Sequence, residues 1–253
     1  MSFIRPEWPA PNRVRSLLTT RAGGTSASPF DSLNLGDHVG DQPAHVKANR
    51  QILLNHLPSE PVWLKQTHSA VVSTPISRAQ TSSKPFEADA AVTNIPNEVL
   101  VIMTADCLPV LFSNADGSVV GAAHSGWRGL SAGVLENTVN EILKLAHQSA
   151  AADLIAWMGP AIGPESFEVG EDVLQYFQEA GLHDMQKCFL SIPTKPGKYL
   201  ADIYQLARDR LRAVGVSSLH GGEICTVQDR EQFFSYRRDG VTGRFASLVW
   251  ISQ

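Results

Sequence analysis

Two apolar runs, Met103 to Phe112 and Ser118 to His124, flank Ser113-Asn114-Ala115-Asp116-Gly117 and constrain this chain more than any other stretch. Apolar segments on either side of an Asp-Gly turn predict a β-hairpin. Side chains alternate between the faces of a strand, so the turn fixes which residues meet. A four-residue loop, Asn114 to Gly117, sets Ser113 opposite Ser118 and Cys107 opposite His124. A two-residue Asp-Gly loop makes His124 a diagonal neighbour of Cys107. Either register leaves thiol and imidazole on one face, roughly 5 to 8 Å apart. Pro109 has no N–H for a ladder, which predicts a sheet edge or a bulge there.

A cysteine beside a histidine suits two chemistries. The histidine can lower the thiol pKa and make a thiolate nucleophile; alternatively, thiolate and imidazole are zinc ligands. A plain account also stands, with Cys107 a small buried side chain and His124 a strand-end histidine. Directly after His124, Ser125-Gly126-Trp127-Arg128-Gly129 turns into a helix predicted from Leu130. Such a turn leaves backbone N–H groups unpaired at a helix start, where an anion is favoured. Gly126 and Arg128 are therefore candidates for holding phosphate, Arg128 through its guanidinium fork. The alternative is a tight turn with a solvent-facing arginine. His68 ends the strand predicted for Val62 to Gln66 and joins the site only if that strand neighbours the hairpin.

Three further segments carry candidate groups. Thr20 to Ser26 holds Arg21 beside two glycines, either a ligand loop or a plain turn. Glu87 to Thr93 places Asp89 at the start of an apolar strand, as caps and turns often do. Phe233 to Arg244 joins aromatics to Arg237, as a stacking wall for a base or as a hairpin with a core aromatic pair.

Further strands are predicted at Arg15 to Thr20, Val99 to Met103, Leu154 to Met158, Glu223 to Val227 and Ser247 to Ile251. Helices are predicted at Pro43 to Asn55, Leu130 to His147, Glu171 to Ala180 and Leu200 to Val214. The expected fold is α/β, a layered arrangement of mixed β-sheets flanked by helices. The Ser/Thr/Pro-rich stretch Thr74 to Lys84 is too short for a boundary, so residues 1–253 are expected to form one domain. A formal net charge of −4 lacks the basic surface that nucleic-acid binding needs. No apolar run approaches the roughly 18 residues of a membrane span, and the N-terminus has no secretory h-region. Three widely spaced cysteines (Cys107, Cys188, Cys225) make no disulfide framework, and Cys188 and Cys225 have no His or Cys nearby. A cytoplasmic setting, with neither nucleic acid nor membrane as partner, is expected.

The chain resembles the YfiH/YlmD family of bacterial proteins in seven stretches that run in family order. They are Thr20-Arg21-Ala22-Gly23-Gly24, Ser32 to Gly36, Gln66-Thr67-His68, Thr104 to Pro109, His124 to Gly129, Gly159 to Pro164, and Phe234 to Arg238 with Gly243-Arg244. Ser125 stands where alanine is frequent in the family. This family, long labelled multicopper polyphenol oxidoreductase (laccase), is now described as zinc-dependent purine nucleoside phosphorylases. The resemblance implies one zinc per chain, held by His68, Cys107 and His124. It implies phosphorolysis of adenosine and inosine, and also of methylthioadenosine, with adenosine deamination alongside. Arg21, Gly126, Arg128 and Arg237 become candidates for binding nucleoside or phosphate. Asp89, Asp106 and Arg128 become candidates for orienting a ligand or moving a proton.

Three other readings compete. A metal-free cysteine hydrolase would use Cys107 and His124. A copper-dependent phenol oxidase is short of ligands, because His38, His45, His56, His147, His183 and His220 lack paired spacing and are expected in loops or helices. Copper remains possible at the three-ligand site on affinity grounds. The family is also named a peptidoglycan editing factor, to which no residue pattern speaks.

Overall fold

A computed structural model describes residues 3–81, 85–146, 149–181 and 185–253. Strands β1 (Phe3–Ile4) and β2 (Val14–Thr19) precede helix α1 (Pro43–Leu54). There follow β3 (Leu64–Lys65), β4 (Val72–Ser73), α2 (Pro75–Gln80), β5 (Phe86–Glu87) and β6 (Ala90–Thr93). The centre of the chain forms β7 (Leu100–Thr104), β8 (Leu108–Asn114), β9 (Val120–Ser125), α3 (Trp127–Ser131) and α4 (Val134–Leu145). Next come β10 (Leu154–Met158), β11 (Glu168–Gly170), α5 (Glu171–Glu179), β12 (Phe189–Ser191) and β13 (Lys198–Ala201). The order closes with α6 (Ile203–Ala213), β14 (Ser218–Gly221), α7 (Tyr236–Asp239) and β15 (Phe245–Ile251).

Six strands make the larger sheet in the order β14-β10-β8-β9-β6-β4, with parallel pairs at both edges and antiparallel pairs within. Four make a second sheet, β1-β2-β15-β7, all antiparallel. Alternation along β8 and β9 feeds two cores. Leu108, Val110, Phe112 and Ala123 pack toward α4 and α6, on which Leu135, Val139 and Leu206 are fully or almost fully buried. Leu111, Val120 and Ala122 face Leu18, Ile102 and Phe245 of the second sheet. The outer face of that sheet, through Val101, Met103 and Leu248, packs on Leu53 of α1. The larger sheet is covered on both faces, so its strands read as unbroken apolar runs. Each fully buried Leu or Phe contributes about 1.5–3 kcal/mol, which fixes these faces. The expected layered α/β fold with mixed sheets and flanking helices is what the chain forms.

Several local expectations are corrected. Pro109 lies inside β8, an interior strand, and not at an edge or bulge. It faces His124 across the β9 pairing, and its carbonyl accepts from Gly159 N at 2.9 Å, on the side where β10 ends. The Gly159 carbonyl on that side accepts instead from the Tyr204 hydroxyl at 3.2 Å, so the missing N–H leaves it satisfied. The hairpin register is the diagonal one, Leu108 facing Ser125, while the turn spans Ala115 to Ser118 around Gly117 at φ +70°. The helix predicted from Leu130 is two helices, α3 and α4, separated at Gly133 (φ +91°); its predicted end, His147, lies outside the described residues. Glu223 to Val227 forms no strand, only a single bridge between Ala161 and Cys225. Within Thr74 to Lys84, Thr74 caps α2 through Ser77 N, and 82–84 lie outside the described residues. His220 sits in β14 and not in a loop; His183, like His147, lies outside the described residues.

Candidate metal centre

Where the two large sheets end side by side, three segments converge. His124, one residue before the end of β9, has the parity of Val120 and Ala122, so it points into the layer between the sheets. Cys107 immediately precedes β8. His68 sits in the turn after β3 at φ +62°, a left-handed conformation unusual for histidine. Their ligating atoms lie within 4.8 Å of one another, with Cys107 Sγ 3.6 Å from His68 Nε2. The rings of His68 and His124 meet edge to face at 4.8 Å. Tetrahedral coordination with bonds of about 2.0–2.3 Å puts ligand atoms roughly 3.3–3.8 Å apart, close to the Cys107–His68 separation. Two imidazoles and a thiolate form a donor set that zinc favours.

Asp89 organises two of the three. One residue before β6, and fully buried, its Oδ1 lies 2.8 Å from His124 Nδ1, which turns Nε2 toward the cluster. The same carboxylate accepts from the backbone N–H groups of Thr67, His68 and Ser69 at 3.1, 2.9 and 2.6 Å. These bonds support the left-handed turn at His68. Burial opposes charge on Asp89, yet the hydrogen bonds from His124 and Ser69 hold it well below the usual carboxylate range. Burial likewise opposes ionising Cys107, but His124 and His68 pull its thiol pKa down. Against the same burial, Cys107 and Asp89 raise the pKa of His124. Metal binding needs the sulfur as thiolate, so the same histidines that favour the ionised thiol favour a metal cation there.

Gly126 caps α3 directly against this cluster. A Cβ there would come within 2.7 Å of His68 Cδ2 and 3.0 Å of Cys107 Sγ. The helix it starts is only five residues long, so its dipole is that of little more than one turn. Arg128, one residue into α3, stacks on Trp127 with its guanidinium 4.1 Å from the ring centroid.

The cluster opens into a cavity of about 450 Å³, a size that suits a small organic ligand. Arg128, Arg237 and Arg244 all line it. Arg237 donates to Ser166 O and Arg244 to Thr242 O and Gly243 O. None of the three pairs with a carboxylate among the described residues. Asp106, at φ +86°, lines the cavity but bonds neither histidine. It accepts from Thr226 Oγ1 and from Arg237 N, both at 2.6 Å, and so ties α7 to the Cys107 turn. Arg21 is not among the residues lining the cavity. It bonds Asp31 and Arg230 O and packs over Phe234.

The cavity wall also contains Gln66, Thr104, Arg244 and His38, none of which was a predicted site residue, although Gln66, Thr104 and Arg244 lie in the family-like stretches. Gln66 and Thr104 carried a weak signal, since each lies two or three residues from a predicted ligand. Arg244 and His38 reach the cavity only through long-range packing.

The family model described as multi-copper polyphenol oxidoreductase laccase matches residues 15–252. A Haemophilus influenzae protein named purine nucleoside phosphorylase is 47% identical over 99% of both chains. Escherichia coli purine nucleoside phosphorylase YfiH is 48% identical over 98% of both. The crystal structure of Neisseria meningitidis protein NMB0706 superposes with a TM-score of 0.91 at 44% identity, covering 100% of each chain. YlmD from Geobacillus stearothermophilus superposes at 0.89 with 30% identity, over 100% of this chain and 97% of that one. In sequence and in fold, end to end, the chain belongs to the YfiH/YlmD family.

Proposed function

We propose that the protein is a zinc-dependent purine nucleoside phosphorylase acting on adenosine, inosine and methylthioadenosine, with adenosine deamination as a side activity. The observation that carries this reading is one cavity in which a His-Cys-His cluster meets three arginines that pair with no carboxylate among the described residues. Relatives with nearly half of their residues identical bear the phosphorylase name. His68, Cys107 and His124 fit zinc by donor type and spacing. Held there, zinc would supply a Lewis acid with room for a fourth ligand that is not protein.

The chain's own residues supply the rest. In phosphorolysis a phosphate oxygen bonds to ribose C1′ while the bond from C1′ to the base nitrogen breaks, and its electron pair leaves with the purine. Arg128, Arg237 and Arg244 balance the phosphate charge, with the stacking of Arg128 on Trp127 fixing one guanidinium plane. Asp106 positions Arg237 through its backbone N–H. Asp89 keeps the His124 tautomer and the His68 turn in place. The mildly acidic charge supports a setting without nucleic-acid partners, and three widely spaced cysteines fit a reducing, cytoplasmic one; among the described residues no helix is long and apolar enough to cross a membrane. Among the described residues there is no second His/Cys/Asp/Glu cluster for a further metal, which weakens the multicopper reading. Copper at this one site stays open to metal analysis.

The test is purified protein incubated with inosine and phosphate. Phosphate-dependent hypoxanthine and ribose 1-phosphate are expected, along with about one zinc per chain. Zinc-loaded protein that releases no hypoxanthine defeats the proposal. Cys107→Ala is expected to lose both metal and turnover; full turnover in that variant overturns the ligand set. Rapid alkylation of Cys107 by iodoacetamide in active, metal-free protein would favour the cysteine hydrolase instead.

A further inference from the structure

Thr104 closes β7 and pairs with Phe245 of β15. It shares the parity of Ile102, so its side chain enters the layer between the sheets at the end where that layer opens into the cavity. The residue is 1% exposed, and its Oγ1 has no hydrogen-bond partner among the described residues. Such a group is costly to leave unpaired, whereas an apolar group of the same shape is not.

Its polar neighbours on the cavity wall are already engaged. Both ends of the Gln66 amide bond the Met103 backbone, Oε1 accepting from N at 2.9 Å and Nε2 donating to O at 2.8 Å. Both oxygens of Asp106 accept from protein donors. Ser247, one diagonal step deeper on the same sheet face, is also an unpaired hydroxyl but does not line the cavity. Thr104 differs in combining a buried hydroxyl that is unpaired among the described residues with a place in the cavity wall. The arginines supply charge for an anion, while a hydroxyl both donates and accepts and suits a neutral partner.

We infer that Thr104 is a substrate-binding residue whose hydroxyl hydrogen-bonds an uncharged polar group of the nucleoside, on the ribose or on the purine edge. This inference rests on the nucleoside reading of the cavity. A site with a hydrogen-bonding group buried in its wall rejects analogues that lack the matching group.

The experiment measures KM and kcat for inosine, 2′-deoxyinosine, 3′-deoxyinosine and purine riboside in the wild type, Thr104→Val and Thr104→Ser. Zinc content and thermal midpoint are recorded for each protein. In Thr104→Val the KM for inosine is expected to rise roughly three- to tenfold, with kcat changed less, zinc retained and the midpoint unchanged or higher. Thr104→Ser keeps the hydroxyl and is expected to restore the wild-type KM. The analogue lacking the contacted group should lose affinity in the wild type and no more in Thr104→Val, which separates ribose from base. If Val does not fold, Thr104→Ala carries the same comparison. Wild-type KM values in the hydroxyl-free variant for every nucleoside would overturn the inference alone. A wild-type protein without phosphorolysis overturns the underlying reading instead.

Discussion

Asp89 does more for the site than its position before an apolar strand announces. One carboxylate faces His124 Nδ1 and three successive backbone N–H groups of the His68 turn. Both of its oxygens therefore see donors. An asparagine of the same shape would set an –NH₂ against donors on one side. Asp89→Asn is expected to weaken metal binding about 10- to 100-fold and lower stability by about 1.5–3 kcal/mol. Chelator competition and urea unfolding measure the two effects, and unchanged metal affinity would show that Asp89 does not hold the ligands. Ser125 presents the opposite case. Its buried hydroxyl, next to His124, has no partner among the described residues, and alanine leaves little void. Ser125→Ala is expected to gain about 1 kcal/mol, seen as a higher urea midpoint at constant m-value; a lower midpoint would show that the hydroxyl is bonded.

Among the elements, the β8–β9 hairpin with the turn into α3 was the part most readable in advance. Hairpin pairing is local, and side-chain parity survives an error in turn length, so Cys107 and His124 were placed together by arithmetic. Glu223 to Val227 misled because an apolar pattern is only half of a strand. Its backbone bonds go instead to the loop at Ala161 and to local turns, such as Asp229 N to Cys225 O. The single-helix expectation past Leu130 failed at Gly133, whose left-handed φ ends one helix and admits the next. Nothing in spacing reports Arg244 or His38, which arrive from opposite ends of the chain. The α3 start also yields a prediction. Gly126 has φ −63° and ψ 157°, which any residue adopts, so alanine there brings no backbone strain. What it brings is a methyl group within 2.7 Å of His68 and 3.0 Å of Cys107. Gly126→Ala is expected to keep the far-ultraviolet circular dichroism spectrum and lose most bound metal. Full metal content in that variant would mean that the cluster has slack which its contacts do not suggest.

Across the molecule, the three candidate ligands bring the β8–β9 hairpin together with a segment that no strand pairing joins to it. His68 follows β3 in a two-stranded side sheet, whereas Cys107 leads into β8 and His124 lies in β9 of the six-stranded sheet. The turn carrying His68 is fixed to β6 through Asp89 and to α3 by the close approach of Gly129 to Ser69 O. A metal bound by all three is therefore bound by the folded arrangement and not by any one segment. Its binding free energy adds to folding stability by mass action, about 2.7 kcal/mol when free metal stands at 100 times Kd. For a chain of this length, 1 kcal/mol moves the midpoint by about 2–4 °C. Saturating zinc is thus expected to raise Tm by roughly 5–10 °C over chelated protein. Cys107→Ala is expected to show no such difference, because two histidines alone bind too weakly to link folding to the metal. Differential scanning fluorimetry with and without a zinc chelator, on both proteins at matched ionic strength, measures it. A wild-type midpoint that stays fixed while zinc is demonstrably removed would mean that the three segments are held by packing alone, with the metal resting on a site already complete without it.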